Sequence, residues 1–151
     1  MRSARIHRFR AFVVAGALIL VAQSTAMADE DDAITYRQLI MKEMDAESSA
    51  LGMIVSGQIP PDALASQTKA LALSAKAALK AFEPKVPGGD AKPEVWSKWD
   101  DFSKRMQALV QNTDELTKTA EGGNLSVFAE KMTDALTCKQ CHETYRVKKK
   151  T

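Results

Sequence analysis

The chain has 151 residues, of which 21 are Lys or Arg, 19 are Asp or Glu and two are His, for a formal net charge of +2. That balance excludes the strongly basic surface of a nucleic-acid binder, and the length fits one folded domain. The excess charge is confined to the start: Arg2, Arg5, Arg8 and Arg10 set aside, residues 29–151 hold 17 basic and 19 acidic side chains, a net charge of −2.

Those four arginines precede an apolar run of 12 residues, 11–22, too short for the roughly 20 needed to span a bilayer. Ala26-Met27-Ala28 then fits a small-x-small cleavage site. Residues 1–28 are expected to be a cleaved secretory signal peptide and residues 29–151 the mature domain, delivered to the periplasm with no membrane anchor.

Four segments of helical periodicity follow, and none alternates with the period of two that marks a strand. The first, 33–56, repeats Ile34, Met41, Met44, Ser48, Leu51 and Val55 along one stripe and ends at "SGQIPP". The second, 62–82, is rich in Ala and Leu, with Pro61 suited to a first helical turn. "EPKVPGGDAKP" breaks the chain. The third, 93–120, carries Val95, Trp99, Phe102, Met106, Leu109, Val110 and Leu116 and stops at "EGG". The fourth, 124–147, opens on Asn124, a good N-cap, and presents Val127, Phe128, Met132, Ala135, Cys138, Cys141 or His142, and Tyr145. Long helices with short connections predict an all-α fold, an antiparallel up-down-up-down four-helix bundle.

Both cysteines of the chain lie in the last segment, in Cys138-Lys139-Gln140-Cys141-His142. This matches the C-x-x-C-H pattern of covalent haem attachment; given the rarity of Cys and His, chance would produce it in a chain of this length on the order of once in a thousand. The spacing suits the chemistry, since two thiols three positions apart can add to the two vinyl groups of one haem while the adjacent imidazole ligates its iron. Structural zinc would need four ligands, and residues 29–151 hold one histidine and two cysteines. A redox dithiol belongs at a helix start near a βαβ unit. A plain disulfide is compatible with export but leaves His142 without a role. The reading is one covalently attached haem c, and export agrees with it.

Three clusters, "AITYRQLIM", "GGDAKPEVWS" and "CKQCHETYRVKKK", resemble the cytochrome c prime family of four-helix-bundle c-type cytochromes, over residues 33–150. The resemblance implies thioether links at Cys138 and Cys141 and His142 as proximal ligand. It sets Arg146 near the proximal imidazole, although a solvated last-turn arginine fits the helix dipole equally. Arg37 and Gln38, and less firmly Asp90, match positions near the haem edge and its propionates; an exposed helix arginine is the plainer reading of Arg37. Trp96 and Trp99 read as core or haem-packing residues.

The family position that covers the distal face of the haem is Met41 here. A thioether there can ligate iron and raise its potential, as in low-spin c-556-type members, or simply fill space; Met44 and Met53 are poorer candidates. The resemblance therefore implies a periplasmic monohaem electron carrier working between redox partner proteins, with five-coordinate binding of nitric oxide or carbon monoxide as the alternative. No enzymatic activity is expected, since residues 29–151 offer no second histidine for distal acid-base work. Members often pair through their first two helices, so a homodimer is a further expectation, while the Ala-rich second helix could equally pack within one chain. Lys148, Lys149 and Lys150 form a solvated tail or a dock for an acidic partner.

Overall fold

The structure, a computed structural model, describes residues 30–148; the expected signal peptide and residues 149–151 of the basic tail lie outside the described residues. Helices run α1 (Glu30–Val55), α2 (Leu64–Phe82, entered through a 3-10 turn at Pro61–Ala63), α3 (Glu94–Ser97), α4 (Trp99–Glu121), α5 (Leu125–Ala135) and α6 (Cys138–Tyr145). Helix α2 packs on both α1 and α4, and α4 on α5, so α1, α2, α4 and the α5–α6 pair form an antiparallel four-helix bundle. The close approach of α2 to its neighbours rests on small side chains: Ala72, Ala75, Ala78 and Ala81 are buried, and Leu51, Leu71, Leu116 and Phe128 interlock around them.

The sequence stripes are correct in period but rotated on α1. Its buried residues are Arg37, Ile40, Met44, Glu47, Leu51 and Ile54, whereas Ile34, Met41, Ser48 and Val55 are half-buried along the edge of that face. Two polar groups in the true stripe disguised it. Glu47 is accommodated because Ser74 donates to its Oε1 at 3.0 Å, and burial raises its pKa.

Two expected helices are broken. The segment 93–120 divides at Lys98 (φ −120°, ψ 41°), and the turn stacks Trp96 on Trp99 at 6.4 Å between ring centroids. The segment 124–147 begins as expected, with Asn124 accepting from the amide of Val127, but leaves helical geometry at Leu136 (φ −95°, ψ 74°) and Thr137. The carbonyl of Ala135 freed there accepts from Asn112 Nδ2 on α4. The apolar spacing continues across this break, from Ala135 through Cys138 and Cys141 to Tyr145, so periodicity alone could not reveal it.

The segment between α2 and α3 works as a strap. Arg37 is only 4% exposed; its Nη1 donates to the Val86 carbonyl at 2.7 Å and its Nη2 reaches that of Gly88 at 3.5 Å. Its guanidinium lies over the rings of both Phe82 and Trp96, 5.2 and 5.3 Å from their centroids. Gly88 and Gly89 adopt positive φ, where other residues are strained, and a Cβ on either would press on the Ile34 side chain at 2.6 or 2.8 Å, so glycine at both positions suits the strap's close approach to α1.

Helix α6 is anchored to α4 through Tyr145. The buried ring packs edge-on against Phe102 at 5.2 Å, and its hydroxyl donates to Asp101 Oδ2, which also accepts from Arg105 Nε at 2.8 Å. Burial and the Asp101 carboxylate push the phenol up to about 12, while the hydrogen bonds from Tyr145 and Arg105 hold Asp101 below its ordinary value.

Replacing Arg37 with Met removes a buried, hydrogen-bonded cation and should cost about 2–4 kcal/mol in urea unfolding; Lys76→Ala, at the half-exposed ion pair with Asp114, should cost under about 1 kcal/mol. Since the folded protein holds the Tyr145 proton more tightly than an unfolded chain ionising near pH ~10, this group's stabilisation is intact below that pH and lost as pH rises toward 12. A thermal-unfolding series across that window should fall for the native sequence and flatten for Tyr145→Phe.

Candidate haem site

The eight residues of α6 carry the whole attachment motif. Cys138 and Cys141 are free thiols, the first exposed and the second half-buried, and three positions along a helix place them on neighbouring parts of one face. Burial raises the pKa of both. A cavity of about 180 Å³ runs between α4 and the start of α6, where Met106 and Leu109 face both cysteines, with Arg105 at its side. His142 is half-buried; burial first, and then the Arg146 cation, lower its pKa, which favours the neutral imidazole that can give a lone pair to a metal.

Both cysteines line that cavity against α4, and Cys141 also packs against the core. Met41, on α1, is half-buried at the margin of the core. Met44 is enclosed in the core at 8% exposure, and Met53 lies on the surface at 42%.

The remaining predicted residues, drawn from three distant parts of the chain, converge on the strap. Arg37 holds its carbonyls from α1. Gln38 is half-buried with Nε2 3.0 Å from where a Cβ on Gly89 would stand. Asp90 pairs with Arg146 at 3.7 Å, so Arg146 is bound to the strap as well as acting on His142. Contrary to the plainer expectation of an exposed helix arginine, Arg37 is buried. Trp96 and Trp99 pack against the core as expected; the Nε1 of Trp96 is buried without a hydrogen-bond partner among the described residues.

Sequence reasoning missed Lys92. Its Nζ donates to the carbonyls of Glu143 at 2.9 Å and Thr144 at 3.3 Å, and its amide donates to that of Tyr145 at 2.9 Å. These contacts span 51 residues and more, so no local pattern could announce them; the one available cue was a motif helix ending with neither Gly nor Pro to stop it.

The donor set fits a c-type haem. Two free thiols at the required spacing lie beside an imidazole kept neutral, with thioether and aliphatic side chains lining the adjoining cavity.

Comparison with known proteins agrees. The sequence profile of the Cytochrome C' family matches residues 32–146. Cytochrome c' of Alcaligenes xylosoxydans xylosoxydans is 35% identical over 125 residues, 81% of this chain and 98% of the relative. A cytochrome c-556 of Agrobacterium tumefaciens (strain II Chrys) is 32% identical over 77% of this chain and 98% of its own. Among solved structures, a ferrous variant of cytochrome c prime from Alcaligenes xylosoxidans with bound NO superposes with a TM-score of 0.75 at 33% identity, covering 81% of this chain and 98% of that one; a carbon monoxide-bound variant of the same protein gives 0.74. With the profile spanning most of the chain, and with relatives of matching length and fold, this protein belongs to the cytochrome c prime family of c-type haem proteins.

Proposed function

We propose that the mature protein is a periplasmic one-electron carrier holding a single haem c, with His142 and Met41 as the two axial ligands. Bound haem supplies a one-electron couple. Cys138 and Cys141 would hold it by thioether bonds, His142 would offer a neutral nitrogen, and the half-burial of Cys141, His142 and Met41 would limit water at the site. Arg37 and Gln38, with Asp90, bound the edge at which propionates would be met, and Arg146 sets the charge near the proximal imidazole. Its partners are redox proteins, and the chain acts as a carrier rather than a catalyst.

The observation that carries this reading is the placement of Met41, which is half-buried on α1 and packs at the margin of the core. Its place at the margin leaves its sulfur more accessible than that of the enclosed Met44. The relatives named cytochrome c-556 support the same class. The relative solved with nitric oxide and with carbon monoxide favours the other reading, an open sixth position that takes a small gas.

A second copy of the chain is proposed as a partner through α1 and α2. Tyr36, Leu39 and Met53 are 49%, 54% and 42% exposed, Leu73 of α2 is 59% exposed, and Ala46 and Ala50 continue the α1 row between them, a heptad-like seam that suits helix pairing.

The visible spectra of the oxidised and reduced protein should be low-spin, with a weak sulfur-to-iron charge-transfer band, and Met41→Ala should turn them high-spin and open to carbon monoxide. A high-spin native protein that binds carbon monoxide readily selects the gas-binding reading; a Met41→Ala variant that stays low-spin shows another ligand. In sedimentation velocity the native protein should run as a dimer and Leu39→Glu as a monomer, and a monomeric native protein excludes the pairing.

A further inference from the structure

An α-helix leaves its last four carbonyls without partners in its own ladder, and most helices meet this with glycine, water or a capping side chain. In α6 those carbonyls belong to His142, Glu143, Thr144 and Tyr145. The first accepts from the amide of Arg146 at 3.0 Å. The other three are all met by Lys92, two by its ammonium and one by its amide. Beyond the helix, Arg146 is extended (φ −109°, ψ 138°) and forms an antiparallel bridge with Ala91, and the amide of Val147 donates to Asp90 at 2.8 Å. The strap therefore determines where α6 ends.

This matters more for α6 than for a helix built into the core. It is only eight residues long and is separated from α5 by the break at Leu136 and Thr137. Among the described residues its fastenings to the rest of the fold are concentrated at its end: Tyr145 on α4, and the strap. The strap is held in turn by Arg37 of α1, the helix that carries Met41. The strap, hydrogen-bonded to α1 at Val86 and Gly88 and to α6 at Lys92, thus joins the helix of one proposed ligand to the helix of the other.

Resting on the haem reading above, we propose that Lys92 is a positioning residue: by gripping the last turn of α6 it sets the orientation of His142 relative to α1, and with it the axial geometry that tunes the haem. Lys92→Met keeps the length and apolar stem of the side chain but removes the ammonium, while Lys92→Arg keeps charge and donors. Two properties of the haem-loaded protein are measured: hydrogen exchange of the amides from Thr144 to Val147, and the reduction potential. Hydrogen bonds from a charged donor are worth enough that Lys92→Met should speed that exchange about tenfold or more, leave exchange in α2 unchanged and shift the potential, whereas Lys92→Arg should stay close to the native values on both. Unchanged exchange overturns the proposal, whatever the potential does, because Lys92 would then act only as a distant charge. Faster exchange at an unchanged potential overturns it too, reducing Lys92 to a helix cap. Failure of the native protein to attach haem is seen directly in its absorbance and contradicts the functional reading, before any effect of Lys92 is read.

Discussion

A guanidinium sealed from water must find partners inside the fold, because an uncompensated buried charge costs several kcal/mol. Arg37 finds them in the backbone of the strap, at Val86 and Gly88, and in the faces of Phe82 and Trp96. Much of the site depends on that choice. With the strap held against α1, its far end is in place to pair with Arg146, bridge the chain beyond α6 and reach three carbonyls through Lys92. The two glycines make the approach sterically open, and Arg37 makes it favourable.

The architecture has a division of labour. Helices α1, α2 and α4 form a densely packed body, in which Ala75 and Ala78 allow close contact and Phe128 closes one side. Helix α6 contributes one fully buried side chain, Tyr145, and is held chiefly by hydrogen bonds. A helix carrying a prosthetic group benefits from such a mount, since directional bonds fix its orientation while its reactive side chains are only partly enclosed.

Much of this was legible in the sequence, for physical reasons that also show where legibility stops. The attachment motif is chemistry written in five consecutive residues, so it could be read without any fold. The bundle followed from periodicity, and the Asn124 cap from local side-chain chemistry. The buried face of α1 was misread by part of a turn because Arg37 and Glu47 belong to it, and no pattern of apolar residues announces a buried charge. The breaks at Lys98 and Leu136 were hidden because the apolar spacing runs through them. Lys92, Asp101 and the tie between Asp90 and Arg146 depend on partners many residues away, which only the folded chain brings together. Gln38 and Asp90 were singled out by resemblance, and the fold explains their grouping by placing both at the strap.

The central claim is that α6 carries a covalently bound haem through its two thiols. Peptide mapping of the purified, exported protein by mass spectrometry tests it directly, after extraction with acidified acetone to remove any haem that is merely bound. The account predicts that haem remains on the peptide containing Cys138 and Cys141, and that the native protein yields no free thiol at either position. Haem released into the solvent, or both cysteines recovered as free thiols or as a disulfide, would contradict it.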